Sequence, residues 1–161
     1  MMSRRGQASA VGDRRRFHEA AELIVRLFPS EVYPAVADVA GGKGKLAGKL
    51  MARGYRATII DPRRSRKHPK GARRLSDVFL AGMAHRYDLL VGLHPDGATE
   101  ALAESARRRP VVIIPCCLHQ WDGPERGDVE DRIRARWTRL GLAWRETVLP
   151  IRGRALALSC P

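Results

Sequence analysis

Apolar positions along this chain switch repeatedly between a helical period and a strand period. Phe17, Ala21, Ile24 and Phe28 share one face of a helix spanning Asp13 to Phe28, and Pro29 ends it. Ala35 to Val39 reads as a short buried strand. Leu46, Ala47, Leu50 and Met51 return to helical spacing, with Gly54 as the stop. Ala57 to Ile60 is a second apolar strand, ended by Asp61 and Pro62. A third, short strand falls at Ala72 to Leu75, and Ser76-Asp77 opens a helix with Val78, Phe79 and Met83 on its buried side. Asp88 to His94 is a fourth strand, followed by a Pro95-Asp96-Gly97 turn. Ala98, Leu102 and Ala106 line the next helix. It closes on Arg107, Arg108 and Arg109, which suit the negative end of a helix dipole, and Pro110 stops it. Val111 to Ile114 is β-branched throughout, as expected of a strand covered on both faces. After a loop from Pro115 to Gly127, Val129, Ile133, Trp137 and Leu140 define a last helix, capped by Gly141. Trp144 to Leu149 and Ala155 to Ser159 form a hairpin around Pro150-Ile151-Arg152-Gly153.

Strands alternating with helices predict an α/β, Rossmann-like fold: a mostly parallel seven-stranded sheet, helices on both faces, and a C-terminal antiparallel hairpin. The polar, basic segment from Met1 to Gly12 is expected to be a disordered arm, leaving residues 13 to 161 as a single domain. No apolar run approaches the roughly 18 residues that a membrane helix needs. Arg4-Arg5 is followed by no apolar segment, so it is not an export signal, and three cysteines make no disulfide framework. These features predict a cytoplasmic protein without membrane contact, as a monomer or homodimer.

Charge changes the picture. Thirty Lys and Arg against seventeen Asp and Glu give a formal net charge of +13. Either a polyanionic partner, with RNA first, or a generally basic proteome accounts for it. Nine of these cations fall between Arg53 and Arg74, where Asp61 is the single acid. Arg63, Arg64, Arg66 and Lys67 are candidates for following a phosphate backbone, against the plainer reading of a solvated loop.

The stretch from Ala35 to Asp61 carries the chemistry. A strand feeding Gly41, Gly42 and Gly44, then a helix, then a strand ending in an acid, is how a doubly wound sheet grips an adenosine cofactor. A phosphate-cradling P-loop does not fit: Lys43 stands where its first glycine belongs and Leu50 where its Ser or Thr belongs. A dinucleotide fingerprint from Gly42 through Gly44 to Ala47 does fit its loosened form, but little chain remains for a substrate region.

Asp38-Val39-Ala40-Gly41-Gly42-Lys43-Gly44 also resembles the D/E-x-G-x-G-x-G motif of class I S-adenosylmethionine-dependent methyltransferases, with Ala40 in place of the first glycine. That resemblance extends from Val32 onward and includes the closing hairpin. A narrower one joins Gly92-Leu93-His94-Pro95-Asp96-Gly97 and Pro115-Cys116-Cys117-Leu118-His119 to the G-L-H-x-C-G and C-C-x-H pattern of some RNA methyltransferases, including tRNA acceptor-stem 2′-O-methyltransferases. Asp96 stands where those carry cysteine.

The resemblance implies a methyltransferase acting on tRNA or rRNA. Asp38, Ala40, Gly41, Gly42, Gly44, Asp61, Pro62, Asp77, Gly92 and Leu93 would hold S-adenosylmethionine. Asp38 would orient the loop or meet the amino group, Asp61 the ribose and Asp77 the adenine amine; each could also serve as a structural cap. His94 and Asp96 are the catalytic candidates. Cys116, Cys117, His119 and Trp121 would line the acceptor side, with Trp121 placed either to stack on a base or simply to pack. Adjacent cysteines without a second Cys/His cluster do not make a zinc site, so no metal is expected. A small-molecule or protein methyltransferase, and a non-catalytic module binding cofactor or RNA, are the other readings.

Overall fold

The structure is a computed structural model that describes residues 13–116, 120–151 and 156–161. The Met1–Gly12 arm and the candidates Cys117 and His119 lie outside the described residues. One seven-stranded sheet organises the chain in the order β3-β2-β1-β4-β5-β7-β6. Its strands are β1 (Ala35–Val39), β2 (Arg56–Ile60), β3 (Arg73–Leu75), β4 (Leu89–Leu93), β5 (Val111–Ile114), β6 (Arg145–Val148) and β7 (Leu156–Cys160). The first five are parallel, and β7 inserts between β5 and β6, antiparallel to both. The predicted fold class is the one that forms.

Helices cover both faces because the central strands are apolar on both. Helices α1 (Arg15–Leu27) and α2 (Lys45–Met51) pack over Val36, Ala57, Ile59, Leu89 and Val91. Helices α3 (Thr99–Ser105) and α4 (Val129–Arg139) cover Leu90, Val111, Ile113 and Leu158 on the opposite face. Trp137 is fully buried there, and its indole N–H donates to the Ala103 carbonyl at 2.9 Å, which satisfies its polar end. Gly54 and Gly141 end α2 and α4 with φ of +93° and +68°, the left-handed closure that glycine adopts without a Cβ clash.

One predicted element is different. No α-helix starts at Ser76-Asp77. The chain runs without a helix through a bend at Asp77, is extended at Leu80 and then forms a 3-10 helix at Ala81–Arg86. The Asp77 carboxylate accepts from the adjacent amide of Val78, not from an amide two or three residues on as a helix cap would. Phe79 is buried while Val78 and Leu80 are 55% and 61% exposed. That alternation has the period of a strand, so the apolar run Val78-Phe79-Leu80 does not imply a helix. The helix after Pro95 is also shorter than the periodicity predicts. It begins at Thr99, after a 3-10 turn at Asp96–Ala98, and Arg107 to Arg109 lie beyond its end. Among the described residues, no helix is long and apolar enough to cross a membrane.

Candidate active site

Strand order reverses between β1 and β4, and a cavity of about 370 Å³ opens at their carboxyl ends. Such switch points are where open α/β sheets collect ligands. The glycine loop forms one wall, from Ala40 through Lys43, and Leu93 and His94 form another. Arg16 and Phe17 of α1, with Lys45 and Arg63, complete the lining.

Asp38 holds the loop together. It is 1% exposed, and its Oδ2 accepts from the Ala47 amide at 3.1 Å. Burial pushes its carboxyl up to about 7, against the opposing pull of that amide. A Cβ on Gly41 would sit 2.5 Å from the Asp38 carboxylate, so only glycine lets the loop cross this acid. Ala40 has a φ of +55° although it is not glycine, and its amide donates to the Ile60 carbonyl at 2.7 Å. The backbone therefore takes a glycine-like conformation at the position where the motif departs from glycine.

Asp61, fully buried at the end of β2, ties the second strand to the loop. Its Oδ2 accepts from the Gly42 amide at 2.8 Å, and Oδ1 accepts from the Arg63 amide at 2.9 Å. The Arg63 guanidinium closes over both oxygens, at 3.0 and 2.8 Å. Burial works to raise this carboxyl, but Arg63 and the two amides outweigh it and hold it below its ordinary value. Arg74 on β3 locks the arrangement by donating to the carbonyls of Gly42 and Arg63.

His94 is the unpaired group. Among the described residues neither ring nitrogen has a hydrogen-bond partner, although both are buried. Burial, aided by the nearby Arg16 charge, pushes its pKa down to about 4, so the ring is neutral at physiological pH. Its amide donates to the Ile114 carbonyl at 2.8 Å, which fixes its backbone at the end of β4 with a φ of +54°. Positive φ at Ala40 and His94 puts two left-handed non-glycine residues on the lining of this cavity.

The structure thus brings Asp38, Ala40, Gly41, Gly42, Leu93, His94 and Arg63 together on one cavity wall or another. Gly44 and Asp61 support the loop from behind. Gly92 is a packing glycine: a Cβ there would meet Leu102 at 2.5 Å. Asp96 lies close enough to Arg63 for its charge to act on the guanidinium, and Cys116 stands in the same relation to Arg16. Pro62, Arg64, Arg66, Lys67 and Asp77 are exposed outside the cavity lining. Trp121 is elsewhere, pinned between α3 and α4. Its indole N–H donates to Glu125 at 3.0 Å, and the Arg136 guanidinium lies 5.1 Å from its ring centre. Sequence reasoning missed Arg16 and Arg74. Arg16 precedes the first apolar position of α1, which was the available signal; Arg74 is lost in a basic run.

No family model matches the chain, and no curated protein sequence does. Solved structures do. Magnesium protoporphyrin IX methyltransferase from Synechocystis PCC 6803, with bound S-adenosylmethionine, aligns over 96% of this chain and 85% of its own, at 17% identity and a TM-score of 0.59. CalS10, an amino pentose methyltransferase from Micromonospora echinaspora, aligns over 94% and 93%, at 14% identity and a TM-score of 0.60. PH1948 of Pyrococcus horikoshii, a proposed RNA methyltransferase, aligns over 89% and 80%, at 14% identity and a TM-score of 0.55. The fold is that of the class I methyltransferases. In that fold the cavity beside the glycine loop of this chain stands at the carboxyl end of the sheet, with His94 facing it from β4.

Proposed function

We propose that the protein is an S-adenosylmethionine-dependent methyltransferase whose acceptor is RNA. The observation that carries the enzyme reading is the meeting, in one cavity, of a cofactor-type glycine loop with a neutral histidine whose ring nitrogens are buried and, among the described residues, unpartnered. The residues fit the cofactor. The loop crosses Asp38 where a side chain would clash, Asp38 stands ready for an ammonium, and Asp61 ends the strand that faces a ribose. S-adenosylmethionine, when bound, supplies a methyl group on a sulfonium that is open to in-line displacement.

The chain's own groups do the positioning. Asp61 accepts from ribose hydroxyls once Arg63 swings away; Arg63 is 70% exposed on its side chain and meets little resistance in solvent. Arg63 is then free to hold a phosphate of the acceptor. Arg16 and Phe17 exclude water at the mouth. His94 accepts a proton at Nδ1 or Nε2 from an acceptor hydroxyl or amine as the methyl group arrives.

Support for RNA comes from the +13 charge and from the exposed cations Arg64, Arg66 and Lys67 beside the cavity. Against it, two of the three neighbours above are named for small-molecule acceptors, so a small-molecule methyltransferase is the second reading. Incubation with methyl-labelled S-adenosylmethionine and, separately, total RNA, protein and a metabolite extract decides between them. RNase-sensitive label is expected, falling about a hundredfold in His94→Gln, the lower end of a general-base effect. Label in metabolites alone would select the second reading. S-adenosylhomocysteine binding with no transfer to any acceptor would make the protein a non-catalytic module.

A further inference from the structure

A second cavity, of about 720 Å³, opens at the other end of the sheet, beside the amino-terminal residues of β1, β2 and β3. It exists because the segment between β3 and β4 forms only a 3-10 helix, leaving this part of the sheet face without a helix over it. Arg56 of β2, Arg73 of β3 and Arg86 at the end of the 3-10 helix line it, around Thr58 and Tyr87. All three arginines are exposed, and among the described residues none of their guanidiniums makes an ion pair or hydrogen bond. The described lining contains no acid. Three unpaired guanidiniums from three separate elements line one cavity, with Asp88, bonded to the lining Ala35 amide at 2.9 Å, as an acid beside it; together they form a site for a phosphate-bearing ligand.

The second observation is the path to it. Arg63 lines the cavity at the carboxyl end of the sheet, and Gly71 and Arg73 line the one at the amino end. The intervening loop carries Arg64, Arg66, Lys67 and Lys70, all exposed. The two cavities are separated by the length of a five-residue strand, about 15 Å, and this loop crosses that distance against α2, where Pro69 lies over Gly44 and Gly48.

We propose that the arginine-lined cavity binds a phosphodiester of the acceptor RNA distant from the methylated nucleotide, with the basic loop carrying the strand between the two sites. This rests on the reading of the acceptor as RNA.

The test is titration of a fluorescein-labelled stem-loop RNA across a salt series, with S-adenosylhomocysteine affinity measured on each protein as proof of folding. Arg56→Gln/Arg73→Gln/Arg86→Gln is compared with Arg14→Gln/Arg26→Gln/Arg145→Gln, which removes the same charge from exposed cations outside either cavity. The cavity triple should weaken RNA binding about tenfold or more and flatten the log–log salt slope by about 0.7 to 0.9, the release expected for one phosphate contact. The control triple should do clearly less. Equal loss in both triples, or none in the cavity triple, overturns the site while leaving RNA as the acceptor. AMP competing as well as the RNA would name a free nucleotide as the occupant and overturn the strand path. A wild-type protein that binds S-adenosylhomocysteine but no RNA removes both the RNA reading and this site.

Discussion

Two clusters of buried charge lie on opposite faces of the sheet, and they are built differently. On the α3/α4 face, Arg136 is 6% exposed and donates to Glu100, Glu104 and Glu125, with Arg139 and the Trp121 indole adding to Glu125. Each charge there is answered within the cluster. Arg136 and Arg139 hold the Glu125 carboxyl far below the ordinary carboxylate range, and Glu125 in turn holds Arg136 firmly charged. On the α1/α2 side, Asp38 has one backbone donor and a raised pKa, the His94 ring has no partner among the described residues, and Asp61 is satisfied by an arginine that can leave. The first cluster is complete and fastens the Trp121–Arg126 loop to α3 and α4. The second is incomplete, and incompleteness is what a ligand can relieve. Buried charge by itself therefore points nowhere; buried charge short of partners points to the site.

Arg136→Met should break that comparison most severely. It leaves Glu125 buried with only Arg139 and the Trp121 indole as partners, at a cost toward the lower end of the about 3–5 kcal/mol that breaking a buried pair takes, read as a drop in urea stability. S-adenosylhomocysteine affinity of the folded fraction should stay at the wild-type value. A large loss of affinity would show that the two clusters are not independent.

The next effect is on binding against pH. Asp38 is raised to about 7 by burial, so it is protonated below that and cannot answer an ammonium. Affinity for S-adenosylhomocysteine should fall about tenfold per pH unit below 7 and level off above it. The sign for folding is opposite: free protein loses stability as pH rises from about 4 to 7, because Asp38 gives up its proton first in the unfolded chain. A flat affinity profile between pH 5.5 and 8, each about half a unit apart, would detach Asp38 from the ligand.

The smallest effect is Ala40→Gly. The left-handed conformation of Ala40 costs about 1–2 kcal/mol, partly offset by the entropy that glycine loses on folding. A net gain of about 1 kcal/mol or less is expected in thermal unfolding. Destabilisation would mean that the Ala40 methyl packs better than its backbone suffers.

The frame of this comparison was legible from sequence. β1 and β5 fall at the residues their apolar runs mark, because strands buried on both faces leave β-branched and small apolar stretches, broken in β1 by Asp38 alone. The glycine loop was legible for the same reason that its Cβ clashes are: Gly41 and Gly44 can be nothing else. The segment after β3 was not, since three apolar residues in a row fit either period until Val78 and Leu80 are seen facing solvent. Nor was the Arg136 cluster, which joins residues 32 and 36 positions apart with no local pattern. Trp121 looked available for a base because nothing nearby in sequence announces that Glu125 and Arg136 hold it. His94 stood out as a histidine ending a strand, but its missing partners are visible only in three dimensions.

Calorimetric titration of S-adenosylhomocysteine, with NADH as control, into wild type and Asp61→Asn tests the central claim most directly. One-to-one micromolar binding of the first ligand is expected, with no heat from NADH. Asp61→Asn should weaken it about ten- to a hundredfold, the worth of hydrogen bonds to a charged acceptor. Heat from NADH alone would return the glycine loop to a dinucleotide, and S-adenosylhomocysteine binding unchanged in Asp61→Asn would place the ligand somewhere other than this cavity.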